Sequence, residues 1–187
     1  MQIKVIKFKK VKSTNNTAIR NIKKNYKKPL LILSELQTKG KGTMGKKWIS
    51  KKGNLFLSIL FEFKPNRISF KQHAVLNAYL LKKIIEKYIN KKVNIKWPND
   101  LLIEKKKVCG ILQEVINYDK KSFLIVGIGV NTCSYPKIAN YKTTSLNDYS
   151  KKKVDNNRIL KDIKKNYEKY FYNIKKYKFS LLKKFLR

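Results

Sequence analysis

The chain has 187 residues and a formal net charge of +35, from 46 lysines and arginines against 11 acidic residues. That length fits one domain, or one with a small extension, and an apolar content of 42% excludes a disordered chain despite the charge. Two cysteines, Cys109 and Cys133, far apart and without C-x-x-C spacing, exclude a disulfide framework and a thiolate zinc site.

In chain order, Ile3 to Phe8 alternates and predicts a strand. Ser13 or Asn15 then caps a helix with Ala18, Ile19 and Ile22 on its apolar side. Pro29 to Leu36 reads as a buried strand, followed by a loop rich in glycine and lysine. Asn54 to Phe63 is a long strand. From Ser69 to Tyr88 the spacing of Phe70, Val75, Leu76, Tyr79, Leu80 and Ile84 predicts a helix. Val93 to Ile116 reads as strand, turn at Pro98-Asn99, and a hairpin with its tip at Glu104 to Lys106. Phe123 to Thr132 is an apolar strand carrying two glycines. Asn156 to Phe171 and Tyr172 to Leu186 read as lysine-rich amphipathic helices. Strands interleaved with helices give an α/β or α+β class with a mixed sheet.

The charge suggests nucleic acid, but only Arg20, Arg67, Arg158 and Arg187 are arginines. Readers of bases and phosphates favour the bidentate guanidinium fork. The lysines are spread evenly and accompany abundant asparagine, isoleucine and tyrosine, the signature of A/T-rich codons. The charge therefore reads mostly as background, able to attract polyanions non-specifically. The N-terminus lacks a signal-peptide apolar core. No apolar run approaches the roughly 20 residues of a membrane span. A cytoplasmic location without a membrane partner is expected.

Gly40, Gly42 and Gly45 spell the G-x-G-x-x-G of a dinucleotide-binding turn. Such a turn must open a helix whose N-terminus faces a pyrophosphate. Here Gly45 leads into KKWISKKGN, which has no helical stripe, and then into another strand, so that reading is rejected. What remains is a strand–loop–strand element. Its glycines let backbone N–H groups approach an anion, and Lys39, Lys41, Lys46 and Lys47 add charge. The residues alone read equally well as a ligand-covering loop or as a solvated hairpin.

In KWPNDLLIEKKKVCGIL, Pro98 fixes a turn that presents Asn99 and Asp100 at a strand start. Asp100 is either a solvated turn residue or an oxygen ligand for Mg²⁺ on nucleotide phosphates. Lys107 opens the return strand, and Gly110 allows close backbone approach. Gly127 and Gly129, two apart in a strand, bare one face of it, and Asn131 shares their parity. Ser13, Thr14 and Asn15 sit at a strand–helix junction, as cap residues or as a polar site. One histidine, His73, on a helix and no glycine-framed serine argue against a hydrolytic triad.

Together, STN, QTKGKGTMGKKW, GNLFLSIL, KWPNDLL, KKVCGIL.E and VGIGVNT resemble the catalytic domain of biotin–protein ligases. The match runs from about Ile3 to Thr132 and more loosely to Tyr149. Lipoate ligases share the fold but not KWPND. The resemblance implies a class II aminoacyl-tRNA synthetase/biotin synthetase-like fold, a mixed sheet flanked by helices. It implies ATP and Mg²⁺ as cofactors, biotin as substrate, and biotinyl-5′-AMP as intermediate. The acceptor would be a lysine of the biotin carboxyl carrier protein of acetyl-CoA carboxylase or a related carboxylase.

By motif position, Ser13, Thr14, Asn15 and Gln37 would hold the biotin ureido ring. Gly40, Lys41, Gly42 and Thr43 would cover the intermediate, with Gly110, Gly127 and Gly129 around the biotin. Lys107, Lys41 and Asp100 would be catalytic. Lys46, Lys47, Trp48, Asn99 and Asn131 would face ATP, with Asp100 and Asn131 toward Mg²⁺. Lys41 and Thr43 stand where the family often has arginine, and Thr43 points to weaker retention of the adenylate. A single domain over 1–187 is expected, without an N-terminal winged helix, hence without specific DNA binding, and without a C-terminal β-barrel. The sequence leaves homodimer formation through a sheet edge open. Two alternatives stand beside this reading: a lipoate or octanoate ligase of the same fold, and a lysine-rich nucleic-acid-binding module.

Overall fold

Seven strands pair into one mixed sheet in a computed structural model that describes residues 2–25 and 28–173. The strands are β1 (Lys4–Phe8), β2 (Leu30–Ser34), β3 (Leu55–Phe63), β4 (Asn94–Lys96), β5 (Asp100–Ile103), β6 (Lys106–Tyr118) and β7 (Lys121–Val130). Their order across the sheet is β1-β2-β3-β7-β6-β5-β4, with β1 parallel to β2 and every other pair antiparallel. Among the described residues three α-helices cover it: α1 (Thr14–Lys23), α2 (Phe70–Ile85) and α3 (Asn156–Asn173). The mixed sheet and its helices match the class read from the sequence. Most of the second C-terminal helix expected there, Tyr172 to Leu186, lies outside the described residues.

The helices start where cap chemistry allows. The Ser13 hydroxyl accepts from Asn16 N at the head of α1. Ser69 and Gln72 form a reciprocal capping box at α2, with Gln72 N donating to Ser69 Oγ and Ser69 N to Gln72 Oε1. Both caps meet donors that a helix start leaves unpaired.

The two faces of the sheet bury different partners. Leu57, Ile59, Val126 and Ile128 pack with Leu76 and Leu81 of α2 and Ile159, Ile163 and Tyr167 of α3. On the other face Leu30, Ile32, Leu60 and Ile125 pack under Ala18 and Ile22 of α1. Full burial of each large aliphatic side chain stabilises the fold by about 1.5–3 kcal/mol. α1 covers only part of its face. The row from Ser58 through Gly127 to Leu112, and the next from Phe56 through Gly129 and Gly110 to Asp100, extend past its N-terminus. The site lies there.

The helix-covered core contains polar groups, and they are paired. Tyr167 OH donates to Asn77 Oδ1, and Asn77 Nδ2 donates to Gln113 Oε1. His73 is 2% exposed, its Nδ1 meets the Ser69 carbonyl, and its Nε2 lies 2.9 Å from Tyr170 OH. With Nδ1 donating, Nε2 is the acceptor, so the ring is neutral and structural. Burial, the largest influence, holds its pKa below the usual 6.5, against smaller raising effects from the Ser69 and Ile68 backbones. A depressed histidine pKa stabilises the fold above pH about 6.5, and that contribution fades as pH falls toward the lower folded value. His73→Gln should flatten this part of the stability–pH curve, as measured by urea unfolding between pH 5 and about 7.5.

One side chain anchors the chain as it leaves β7. Asn54 Oδ1 accepts from the backbone N–H groups of Thr132, Cys133 and Ser134, and its Nδ2 donates to the Ser134 carbonyl. Asn54→Ala strips these donors of their shared acceptor and should cost about 2–3 kcal/mol in denaturant unfolding. Asn54→Asp, which keeps the acceptor oxygen, should cost less.

Candidate functional site

A parallel pairing of loops draws the polar residues together. Val11 N donates to the Leu36 carbonyl, Thr38 N to that of Val11, and Lys39 N to that of Lys12. This sets Ser13, Thr14 and Asn15, at the N-terminus of α1, beside Gln37. Thr14 N donates to Gln37 Oε1 at 2.8 Å, and Gln37 Nε2 donates to Ser50 Oγ. Ser58 Oγ lies 2.7 Å from Thr14 Oγ1 and 2.5 Å from Asn15 Oδ1. Asn15 Nδ2 donates to Glu114 Oε2 at 2.6 Å and more weakly to the Leu112 carbonyl.

The glycine–lysine loop closes over this wall as a short hairpin. Gly42 N donates to the Lys46 carbonyl and Trp48 N to the Gly40 carbonyl, around a single 3₁₀ turn at Thr43–Gly45. The reversal needs left-handed backbone at Met44 and at Gly45 (φ +72°). No α-helix follows the loop, so the dinucleotide-turn reading fails on the structure as well. Gly40 is needed for space: a Cβ there would strike the Trp48 carbonyl.

The floor is the glycine row. A Cβ on Gly127 would run into the Asn15 amide, and one on Gly129 would come within 2.5 Å of the Trp48 indole. A Cβ on Gly110 would also meet that indole, at 2.6 Å. The face that the sequence presents as bare is therefore covered by two side chains that only glycine admits.

Lys107 reaches this face through an irregularity. Lys107 and Gly110, three apart, would point to opposite sides of a regular strand. Between β5 and β6 the register shifts: Leu101 pairs with Cys109 and Leu102 with Lys107, leaving Val108 as the extra residue. The bulge turns Lys107 to the side of Gly110 and Asp100. Lys107 Nζ sits 2.7 Å from Asp100 Oδ1, and the two side chains are only 17% and 18% exposed. The ammonium also lies 5.5 Å from the Trp48 ring centroid and 5.4 Å from that of Tyr141. Tyr141 arrives because Lys107 N donates to the Lys142 carbonyl and Thr144 N to the Lys107 carbonyl.

These parts enclose a cavity of about 310 Å³, within the range of small-molecule sites. Ser13, Thr14, Asn15, Gln37, Lys41, Gly42, Thr43, Lys46, Lys47 and Trp48 line it from the helix and loop side. Asn99, Asp100, Lys107, Gly110, Gly127 and Gly129 line it from the sheet side. Gly40 stands behind the loop. Asn131 lines a smaller adjoining cavity with Lys107, Trp48 and Tyr141, its Nδ2 donating to the Thr144 carbonyl. Asn131 Oδ1 and Trp48 Nε1 are buried there without a partner among the described residues.

Cys109 is buried and free, and burial pushes its thiol pKa far up, so it provides no thiolate nucleophile. Sequence reading missed Ser58, Glu114 and Tyr141. Ser58 did carry a signal, as the lone small polar residue inside an apolar strand.

The biotin/lipoate A/B protein ligase family model matches residues 7–131, two thirds of the chain and every site element up to β7. The chain belongs to this family. Among relatives, it is 30% identical over 167 residues to the bifunctional ligase/repressor BirA of Bacillus spizizenii. That match takes in 86% of this chain and 51% of that protein. It is 38% identical over 65 residues to the biotin–[acetyl-CoA-carboxylase] ligase of Mycobacterium tuberculosis, or 35% of this chain and 23% of that one. The solved biotin protein ligase of Aquifex aeolicus, in complex with biotin and ATP, superposes with a TM-score of 0.78 at 28% identity. It covers 94% of this chain and 73% of the other. The chain thus spans about half the length of the Bacillus ligase/repressor. Among the described residues of this family member, no helix is long and apolar enough to cross a membrane.

Proposed function

We propose that the chain is an ATP-dependent biotin–protein ligase that makes biotinyl-5′-AMP and passes biotin to a carrier lysine. The observation that carries this is one cavity with two chemically different halves. One is a hydrogen-bonding wall of Thr14, Asn15, Ser58 and Gln37 over Gly127, suited to a small apolar bicycle with a polar urea, whereas Gly110 and Gly129, which the resemblance put around biotin, lie under the Trp48 indole. The other is a cationic half, with Lys107, Lys41, Lys46 and Lys47, suited to a carboxylate meeting a phosphate.

In the first step a biotin carboxylate oxygen attacks the α-phosphorus, and the bond to pyrophosphate breaks. Two anions must meet, so the residues' task is to hold them together and to bear the charge growing on the phosphoryl oxygens. Lys107, aimed into the cavity by the bulge and flanked by two aromatic faces, does this. In the second step a neutral carrier lysine amine attacks the mixed anhydride. The amide bond forms, AMP leaves, and the amine loses a proton.

For the nucleotide, Trp48 supplies an aromatic face. The buried Asn131 Oδ1 supplies an acceptor without a partner among the described residues, fit for an exocyclic amine or for a metal ion. The described residues contain no cluster of three acidic, histidine or cysteine side chains able to hold a metal alone. Among the described residues that line the cavity, Asp100 supplies the carboxylate, which suits Mg²⁺ carried largely by phosphates and water. Mg²⁺ bound there would neutralise phosphate charge. The carboxyl carrier domain of acetyl-CoA carboxylase or a related carboxylase is the acceptor this reading favours, supported by the similarity to the Mycobacterium tuberculosis enzyme. Two free cysteines suit a cytoplasmic setting.

The test of the first step is isotope exchange between pyrophosphate and ATP. It should require biotin and fail with lipoate, and exchange driven by lipoate instead would overturn the assignment. Thr43 lines the cavity where a second arginine is expected by resemblance. Thr43→Arg should therefore slow escape of biotinyl-AMP in a filter-trapping assay, and equal escape rates would remove Thr43 from the account.

A further inference from the structure

The glutamate that closes the KKVCGIL.E segment, Glu114, takes no part in the two chemical steps. We propose that Glu114 is a positioning residue that ties the covering loop to the polar wall and fixes the direction of the wall's hydrogen bonds. The first half stands on geometry alone, and the second rests on the proposed biotin pocket.

Glu114 extends from β6 on the cavity face, four residues beyond Gly110. Its two oxygens do different things. Oε2 accepts from Asn15 Nδ2 at 2.6 Å, and Oε1 lies 3.8 Å from Lys41 Nζ in the loop. One carboxylate therefore bridges the N-terminus of α1 and the loop that covers the site. A charge-assisted hydrogen bond of this length is stronger than a neutral one. The pair with Lys41 is partly exposed, at 42% and 27%, and is correspondingly weak alone.

The carboxylate also sets polarity. An ionised glutamate only accepts, so Asn15 must turn its amide nitrogen to Glu114 and to the Leu112 carbonyl. Asn15 Oδ1 is then committed to face Ser58 and Gly127. The Ser58 hydroxyl has one proton, which goes to Oδ1. The 2.7 Å contact between Ser58 and Thr14 is then made by the Thr14 proton. Thr14 Oγ1 also lies 3.1 Å from Gln37 Oε1, but with its one proton on Ser58 it leaves Gln37 Oε1 accepting from Thr14 N–H, with a lone pair still open to an N–H of the ligand. Without Glu114 the amide can reverse, and the whole relay loses its direction. A ureido ring presents such N–H groups, so the relay selects for a ligand with donors on its polar edge.

Two variants separate the bridging and orienting roles. Glu114→Gln keeps an oxygen for Asn15 but removes the charge that faces Lys41. Glu114→Ala removes both. Hydrogen exchange of the loop, followed by mass spectrometry in the free enzyme, reads the first role without any turnover. Amides of residues 40–48 should exchange about threefold faster in both variants, the size of a weak ion pair. The substitution should add nothing further in a Lys41→Ala background. Steady-state kinetics reads the second role. Glu114→Ala should raise KM for biotin about tenfold with kcat within about twofold, and Glu114→Gln should recover most of that loss.

Unchanged exchange in Glu114→Gln overturns the bridging role. Equal KM values for the wild type and Glu114→Ala overturn the orienting role, as does a failure of glutamine to rescue. A chain that showed altered loop exchange but no biotin-dependent turnover would instead count against the ligase assignment.

Discussion

Lys107→Ala should lower the rate of adenylate formation by about 10²–10³-fold while leaving the fold intact. That is the loss typical of removing one preorganised donor that bears transition-state charge. The ammonium is held in place by Asp100 at 2.7 Å and by the faces of Trp48 and Tyr141. It reaches the cavity only because the strand bulges at Val108. Its stem lines a cavity rather than the core, so the thermal midpoint should move little. Biotin-dependent pyrophosphate exchange measures the effect. Turnover within tenfold of wild type would remove Lys107 from the chemistry.

Gly127→Ala should damage biotin binding selectively. The added methyl group runs into the Asn15 amide, which is fixed on its other sides by Ser58 and Glu114. Asn15 has to leave, and the relay to Thr14 and Gln37 breaks with it. KM for biotin should rise by at least about tenfold, the equivalent of one charge-linked hydrogen bond. KM for ATP should change far less. Gly129→Ala provides the contrast. Its methyl group meets the Trp48 indole instead, at 2.5 Å, so it should raise KM for ATP more than KM for biotin. The same pattern of change in both variants would show that the cavity is not divided as described.

Much of this arrangement was legible in the sequence because it rests on local rules. Ser13 or Asn15, and Ser69, announced helix starts; Ser13 and Ser69 are the caps, and Asn15 lies inside the first turn of α1. The two-residue spacing of Gly127 and Gly129 announced a shared face, and it is the cavity floor. The lack of a helical stripe after Gly45 removed the dinucleotide reading, and the loop is a hairpin. What was not legible depends on register and on irregular backbone. Periodicity alone puts Lys107 and Gly110 on opposite faces, and only a bulge, invisible in spacing, brings them together. Tyr141 lies in a segment without periodicity, placed by backbone bonds to Lys107. Trp48 and Asn15 fill the glycine face through tertiary packing that no single strand encodes. Asn131 shares the glycines' parity, yet it sits past the end of β7, where that parity no longer decides its direction.

The central claim is transfer of biotin to a carrier. The chain, with ATP, Mg²⁺ and biotin, is incubated with a carboxyl carrier domain, and the carrier's intact mass is followed. One biotinyl group should be added per carrier, and none should be added when the carrier's acceptor lysine is replaced by arginine or when lipoate is supplied in place of biotin. An unmodified carrier, under conditions where another biotin protein ligase labels it fully, would contradict the account.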